Sequence, residues 1–394
     1  MDKTYSAKKS WLMLAVIYLA AFSAPLNNFK VAALAPALIG YFGINTDGIG
    51  FLMSAYTLTG VVLAFPAGGI ARKLGYKRAS LIALVISIIG ALMGCLAENM
   101  TVLLASRVLE GVGLCTMGVT GVSLVCGYFP LEKRGRALGV FTTYMALASC
   151  IGLPGMGALG DAMGFRFVWW LCLAFTVATT VLLALVLKDP EFEEDVADEP
   201  KTNMFKVIAQ NKQLWLLCIS FAIHNFIVVG VINNFATTYL TGKFGISMGL
   251  AGIIAAISAL AAVLTMIIVG NLSDRFHTRK KFIVAGLVIG LVAAACYYWT
   301  DNFAFIIFIT ILAGIEGGCI PCMCQTTGPE ILDSAKLAPV SQAFLSFGQN
   351  VGQFLGSALF GMATVAIGWT YAGWAILVPL FVVALIAALA LKVK

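Results

Sequence analysis

Runs of roughly 20 apolar residues, each able at about 1.5 Å of helical rise per residue to cross a hydrocarbon layer, recur from Trp11 to Leu391. A water-soluble fold could not hide so many. Its surface needs about 25% charged residues to stay hydrated, whereas this chain has 11% charged and 61% apolar residues. Most of its surface must therefore face lipid.

The spacing of polar gaps predicts spans at 11–40, 50–71, 78–97, 101–128, 136–160 and 166–187 in the first half. In the second half it predicts 214–241, 248–271, 281–299, 302–328, 337–361 and 365–391. The first run exceeds what a bilayer needs, so its end after Pro36 is expected to protrude. Glycine is abundant, at 40 residues, and recurs every fourth position at Gly348, Gly352 and Gly356. Small residues so spaced let helix backbones approach closely where lipid supplies no hydrophobic drive.

The formal net charge of +7 would suggest nucleic acid if the basic residues formed one solvated patch. They lie instead in short gaps that alternate between rich and poor. Of the 25 Lys and Arg, all but Lys30, Arg107, Arg166 and Lys243 fall on one side of the predicted topology. By the positive-inside rule that side is cytoplasmic, with an even number of spans and both termini inside. The basic start (Lys3, Lys8, Lys9) precedes an apolar run too long for a signal peptide and lacking a cleavage site, so it reads as the first span. The ten cysteines all sit in apolar stretches, which argues against a disulfide framework.

One larger interruption spans 188–213, where Asp189, Glu191, Glu193, Glu194, Asp195, Asp198 and Glu199 lie with Pro190 and Pro200 before an amphipathic stretch, Phe205 to Leu214. It reads as a solvated linker. An offset of 202 residues places Phe42-Gly43-Ile44 on Phe244-Gly245-Ile246, Gly68 on Gly270, and Lys77-Arg78 on Arg279-Lys280. Matching punctuation at one offset indicates duplication. The expected organisation is a bundle of six helices over 1–187, a cytoplasmic linker over 188–213 and a second bundle over 214–394. Transporters built from such repeats hold the solute between the halves near mid-membrane.

The gap after the second span reads Gly68-Gly69-Ile70-Ala71-Arg72-Lys73-Leu74-Gly75-Tyr76-Lys77, and its repeat reads Gly270-Asn271-Leu272-Ser273-Asp274-Arg275-Phe276-His277-Thr278-Arg279. Both resemble the G-x-x-x-D-R-x-G-R-K loop of the major facilitator superfamily. The resemblance implies a charged turn whose carboxylate latches one conformation. In the first copy Arg72 stands where that Asp is usual, so the latch is expected on Asp274, with Gly68, Arg72, Lys73, Gly75, Gly270 and Arg275 shaping the two turns. Arg107, Glu110, Gly111 and Gly113 match the superfamily's span-4 pattern. Leu131 to Ala137 is similar to its basic inner loop, and Gly152 to Gly157 partly resembles its antiporter Gly-Pro element. The resemblance implies an all-α polytopic membrane protein of about twelve helices in two pseudo-symmetric bundles.

Ionisable residues at membrane depth are costly and therefore candidate sites. Lys30 shares a helical face with Asn27 and Ser23. Either it lines a cavity with Asn27 and Asn28 and attracts an anionic solute, or it snorkels to the surface. Arg107 and Glu110, three apart, form a structural ion pair or a proton-coupling site. Glu316 has no basic partner on its own helix, and is either protonated and deprotonated during transport or a permanently protonated helix–helix hydrogen-bond donor. His224 and Asn225 add polarity to the span equivalent to the first. Cys319, Cys322 and Cys324 beside Met323 read as small packing residues rather than a metal site.

These residues predict a monomeric secondary transporter of a bacterial-type inner membrane. It would take its energy from a proton or other ion gradient, with no cofactor or metal. Its partners would be a small organic anion and the lipid bilayer, not nucleic acid. The alternative is a proton-driven exporter of amphiphilic compounds. Catalysis is not expected: a G-x-x-x-x-G-K-S/T segment is missing, no inner loop carries an acidic pair beyond ordinary flanks, and the two histidines lie apart, His224 deep in a span and His277 in a loop.

Overall fold

A computed structural model describes residues 6–188, 190, 204–332 and 337–393. The acidic residues 189 and 191–199 of the predicted linker, Pro200, Lys336 and Lys394 lie outside the described residues. The described residues are almost all helical and form an all-α polytopic membrane protein.

The first half comprises α1 (Ala7–Phe42), α2 (Thr46–Leu63), α3 (Pro66–Leu74), α4 (Tyr76–Cys95), α5 (Met100–Tyr128), α6 (Leu131–Met163) and α7 (Phe165–Val186). A short α8 (Met204–Gln210) leads into α9 (Lys212–His224), a π-helical segment (Asn225–Asn233) and α10 (Asn234–Phe244). Next come α11 (Met248–Phe276), α12 (Lys280–Tyr297), α13 (Phe303–Leu332), α14 (Ala338–Ala372), a second π segment (Gly373–Leu377) and α15 (Val378–Leu389).

Eleven stretches among the described residues are long and apolar enough to cross a membrane. The last, Val340–Leu389, runs for 50 residues, about 75 Å as one helix. It is not one crossing: Gly368 at φ 77°, ψ 165° breaks the helix in a conformation that only glycine adopts readily. This stretch thus supplies two spans, and the division falls at Gly368 rather than at the expected 362–364. The expected span at 50–71 is also broken. Pro66 at the first position of α3 leaves the carbonyls before it without an N–H partner, and α2 ends at Leu63. By contrast α1 stays helical through Pro25 and Pro36 for 36 residues. At about 54 Å it outreaches a hydrocarbon core of about 30 Å, as expected.

Ser10 Oγ donates to Tyr128 O, Lys77 Nζ to Ala184 O and Lys280 Nζ to Leu389 O. The start of α1, the end of α5, the turn before α4 and the end of α7 therefore share one face, here called the linker end. The opposite face is the far end.

The two halves meet along two main seams, with α1 also packed on α10. On one, α2 packs on α14 from Thr46–Thr364 (2.6 Å between hydroxyls), through Ser54 Oγ donating to Phe354 O, to the Phe65–Phe347 ring pair. On the other, α6 packs on α11 at the far end. A Cβ built on Gly252 would lie 2.4 Å from Leu153 O, and one on Gly157 would lie 2.5 Å from Met248 O. Of the Gly152–Gly157 segment, read in sequence as an antiporter-like element, Leu153, Pro154 and Gly157 meet the other half, while Gly152 faces Leu26 of its own half and Gly155 has open space. Toward the linker end, Gly135 and Gly139 of α6 have open space beside them. The Gly348, Gly352 and Gly356 series serves packing within its own half: Cβ atoms there would meet Cys218 Sγ, Ala222 O and Phe226 O at 2.1–2.5 Å.

Candidate functional site

Buried charge gathers at one place in each half. In the first half, α1 brings Lys30 against α5. Lys30 Nζ lies 2.6 Å from Glu110 Oε1 and 2.9 Å from Asn27 Oδ1. Arg107 Nη1 bonds to the other carboxylate oxygen of Glu110 and donates to Asn27 O at 2.8 Å. Asn27 is fixed in turn by donating to Thr176 Oγ1 of α7 and to Ser23 O. Lys30, Arg107 and Glu110 are fully buried. The one-turn spacing of Asn27 and Lys30 on α1, and of Arg107 and Glu110 on α5, puts each pair on one helix face.

Two cations share one carboxylate, so the cluster holds an excess positive charge away from water, a costly state unless compensated. Aromatic faces offset part of it: Lys30 Nζ sits 4.6 Å from the Trp169 ring centre and the Arg107 guanidinium 4.3 Å from that of Tyr56. Arg107 Nε and Nη2 still lack hydrogen-bond partners.

In the second half, His224 at the end of α9 meets Glu316 in the middle of α13. Nδ1 lies 2.7 Å from Oε1, both side chains are buried, and Glu316 Oε2 has no hydrogen-bond partner. The imidazole stacks on Phe221 (6.0 Å, 6° between planes). An adjacent neutral pair or ion pair is accessible by moving one proton along that contact.

The structure thus changes the reading of four residues. Lys30 neither snorkels nor stands free: it is paired to Glu110. Arg107 and Glu110 do pair along α5, but as part of a triad. Glu316, without a partner on its own helix, finds one on α9. Each half joins a base on its first span to a glutamate on its fourth, Lys30–Glu110 and His224–Glu316. The repeat relates the helices but not the residues, since the 202-residue offset places Lys30 on Ile232 and Glu110 on Leu312. Asn225 donates to Phe221 O and accepts from Gln353 of α14. Asn28 is half-buried on α1. Tyr56 and Trp169 were not anticipated, since nothing local distinguishes them from core aromatics.

The loop motifs sit at the linker end. Gly75, at φ 85°, makes the turn between α3 and α4, while Gly68 has open space around it and Arg72 and Lys73 are exposed. In the second copy Asp274 lies 2.6 Å from Arg279, which reaches Glu330 of α13 at 3.0 Å. Asp274 therefore ties α11 to α12 and α13 within its own half. Gly270 faces Cys322, and Arg275 is exposed. The cysteines of α13 diverge: Cys319 Sγ points to Phe282 O and Cys322 Sγ to Met266 O.

The family model for the Major Facilitator Superfamily matches residues 17–240 and 222–394. Among curated relatives, an uncharacterized MFS-type transporter of Mycobacterium tuberculosis, Rv1250, is 29% identical over 46% of this chain and 31% of its own. Azole resistance protein 1 of Saccharomyces cerevisiae is 34% identical over 37% of this chain and 24% of its own. The chain thus spans about a quarter to a third of the length of these two relatives. A bacterial homologue of the human lysosomal transporter Spinster, solved in an inward-facing, unoccupied conformation, superposes with a TM-score of 0.84 at 18% identity, over 98% of this chain and 96% of that one. It shares the fold. The chain belongs to the major facilitator superfamily.

Proposed function

We propose that this member of the superfamily is a proton-coupled secondary transporter that moves a small organic anion by alternating access. The observation that carries the reading is the pair of buried base–carboxylate contacts, Lys30–Glu110 and His224–Glu316, each joining the first and fourth spans of its half. A static scaffold has no need of four ionisable groups at membrane depth, each several kcal/mol less favourable there than an apolar residue. A carrier that takes up and releases protons does.

The two pairs divide the work. Glu110 is held by two cations, and the surplus positive charge around it draws an anion toward the first half. Glu316, opposed by one imidazole and with one oxygen unpartnered, takes and returns the proton. The basic gaps support a cytoplasmic linker end. The close far-end packing of α6 on α11, with open space beside Gly135 and Gly139, supports a carrier open to the cytoplasm; a bacterial-type inner membrane and a monomeric state belong to the same proposal.

A second reading, proton-driven export of amphiphilic compounds, draws on the similarity to azole resistance protein 1. Purified protein in liposomes, offered a panel of carboxylates and lipophilic cations with and without an imposed pH gradient, separates the two. Gradient-dependent carboxylate flux that Glu316→Gln abolishes is the expected result. Flux of cations alone supports the exporter, and flux indifferent to the gradient removes the proton role.

A further inference from the structure

His224 is the last α-helical residue before the π segment Asn225–Asn233. Widened i→i+5 turns are rare, occur mostly as single turns, and cluster at functional sites. Nine consecutive residues of π backbone in the middle of a span call for outside support. Helix α14 supplies it. Gln353 Nε2 donates to Asn225 Oδ1 (3.1 Å) at the start of the segment. Ser357 Oγ donates to Gly230 O (3.0 Å) in its middle and accepts from Asn234 Nδ2 (2.9 Å) at its end. Gly230 lets the backbones approach: a Cβ there would lie 3.1 Å from Gln353 O.

The opposite face of the same turn of α14 belongs to the seam between halves. Ser357 O would be 2.2 Å from a Cβ on Gly50 of α2, and Phe354 O accepts from Ser54. Ser357 therefore touches both: its hydroxyl holds the π segment and its carbonyl abuts the other half. Each i→i+5 turn contains one residue more than an α turn. Relaxation of the segment toward α geometry therefore re-aims His224, at its N-terminal end, relative to α10 at its C-terminal end.

We propose that Gln353 and Ser357 are positioning residues that hold the π segment in register, and through it hold His224 against Glu316, so that parting of α2 from α14 and parting of His224 from Glu316 are one event. This rests on the reading of His224–Glu316 as the proton-coupling pair.

Hydrogen–deuterium exchange on the detergent-solubilised protein tests the mechanical link without any solute. Ser357→Ala removes the support directly, and Gly50→Val wedges the seam from the other half. Both are expected to speed exchange in 221–234 at least tenfold, with α4, α5 and α7 unchanged. Unaltered exchange there in Gly50→Val overturns the proposal. Where that variant speeds exchange throughout, Ser54→Ala, which loosens the seam without added bulk, replaces it with the same two outcomes.

Infrared spectroscopy of the protonated-carboxyl band of Glu316, assigned by its loss in Glu316→Gln, supplies a readout that a merely structural role would not move. Its titration midpoint should shift by about one pH unit or more in Ser357→Ala and in the seam variant, and an unshifted midpoint overturns the link to the proton pair. Absence of titration in the wild-type protein between about pH 5 and pH 9 removes the proton-coupling reading. The exchange experiment then decides the mechanical link on its own.

Discussion

The carboxylate of Asp161, at the far end of α6, accepts hydrogen bonds from the backbone N–H groups of Met248 (3.3 Å) and Gly249 (2.9 Å) in the first turn of α11. A side chain of one half thereby caps a helix of the other. The first N–H groups of a helix have no partner within it and favour negative charge, so this contact favours closure of the α6–α11 seam.

Removing the cap should open that seam. A helix cap is worth about 0.5–2 kcal/mol. Asp161→Ala is therefore expected to raise the labelling rate of a cysteine at Thr364, a buried residue of the neighbouring seam, several-fold in a background without the native cysteines. Asp161→Asn, which can still accept one of the two bonds, should have a smaller effect. Equal rates in the wild-type and alanine proteins would refute the cap's role.

The triad should respond asymmetrically to neutralisation. Glu110→Gln leaves Lys30 and Arg107 buried with no counter-charge, and breaking a buried ion pair in this way costs about 3–5 kcal/mol. Lys30→Gln leaves Arg107 paired with Glu110, so a much smaller loss is expected. Thermal unfolding in one detergent compares the two, and a Lys30→Gln loss as large as that of Glu110→Gln contradicts the charge count.

Gly252 is a test of closure by volume. Its Cβ would meet Leu153 O at 2.4 Å and Pro154 N at 2.8 Å, all backbone that cannot yield cheaply. Gly252→Val should hold the seam apart and lower turnover at least tenfold in liposomes, while a single Gly135→Val, where space is open, leaves it near the wild-type rate.

At the linker end, His277 ends α11 with φ 50°, ψ 41°. A left-handed cap costs a residue with a Cβ more than glycine. His277→Gly is expected to relieve left-handed strain of about 1–2 kcal/mol, less the roughly 0.4–1 kcal/mol by which glycine's freedom favours the unfolded chain, and so to raise the melting temperature. No rise would mean that the exposed imidazole makes up the difference.

The amino-acid sequence by itself determined the spans, their repeat and the side on which the basic gaps collect. These are local properties: a run of apolar residues in lipid has little choice but a helix, and each Lys or Arg outside the runs must reach water. It also narrowed the site to a few residues, because lipid makes every buried charge conspicuous. The tertiary structure decided their partners. Lys30 and Glu110 lie 80 residues apart, and His224 and Glu316 lie 92 apart. Which faces of two distant helices meet depends on rotations set by all the neighbouring packing, such as the glycines of α14 against α9. The break at Gly368, the π backbone after His224 and the Asp161 cap arise in the same way, from contacts between helices that hydropathy along one helix does not encode.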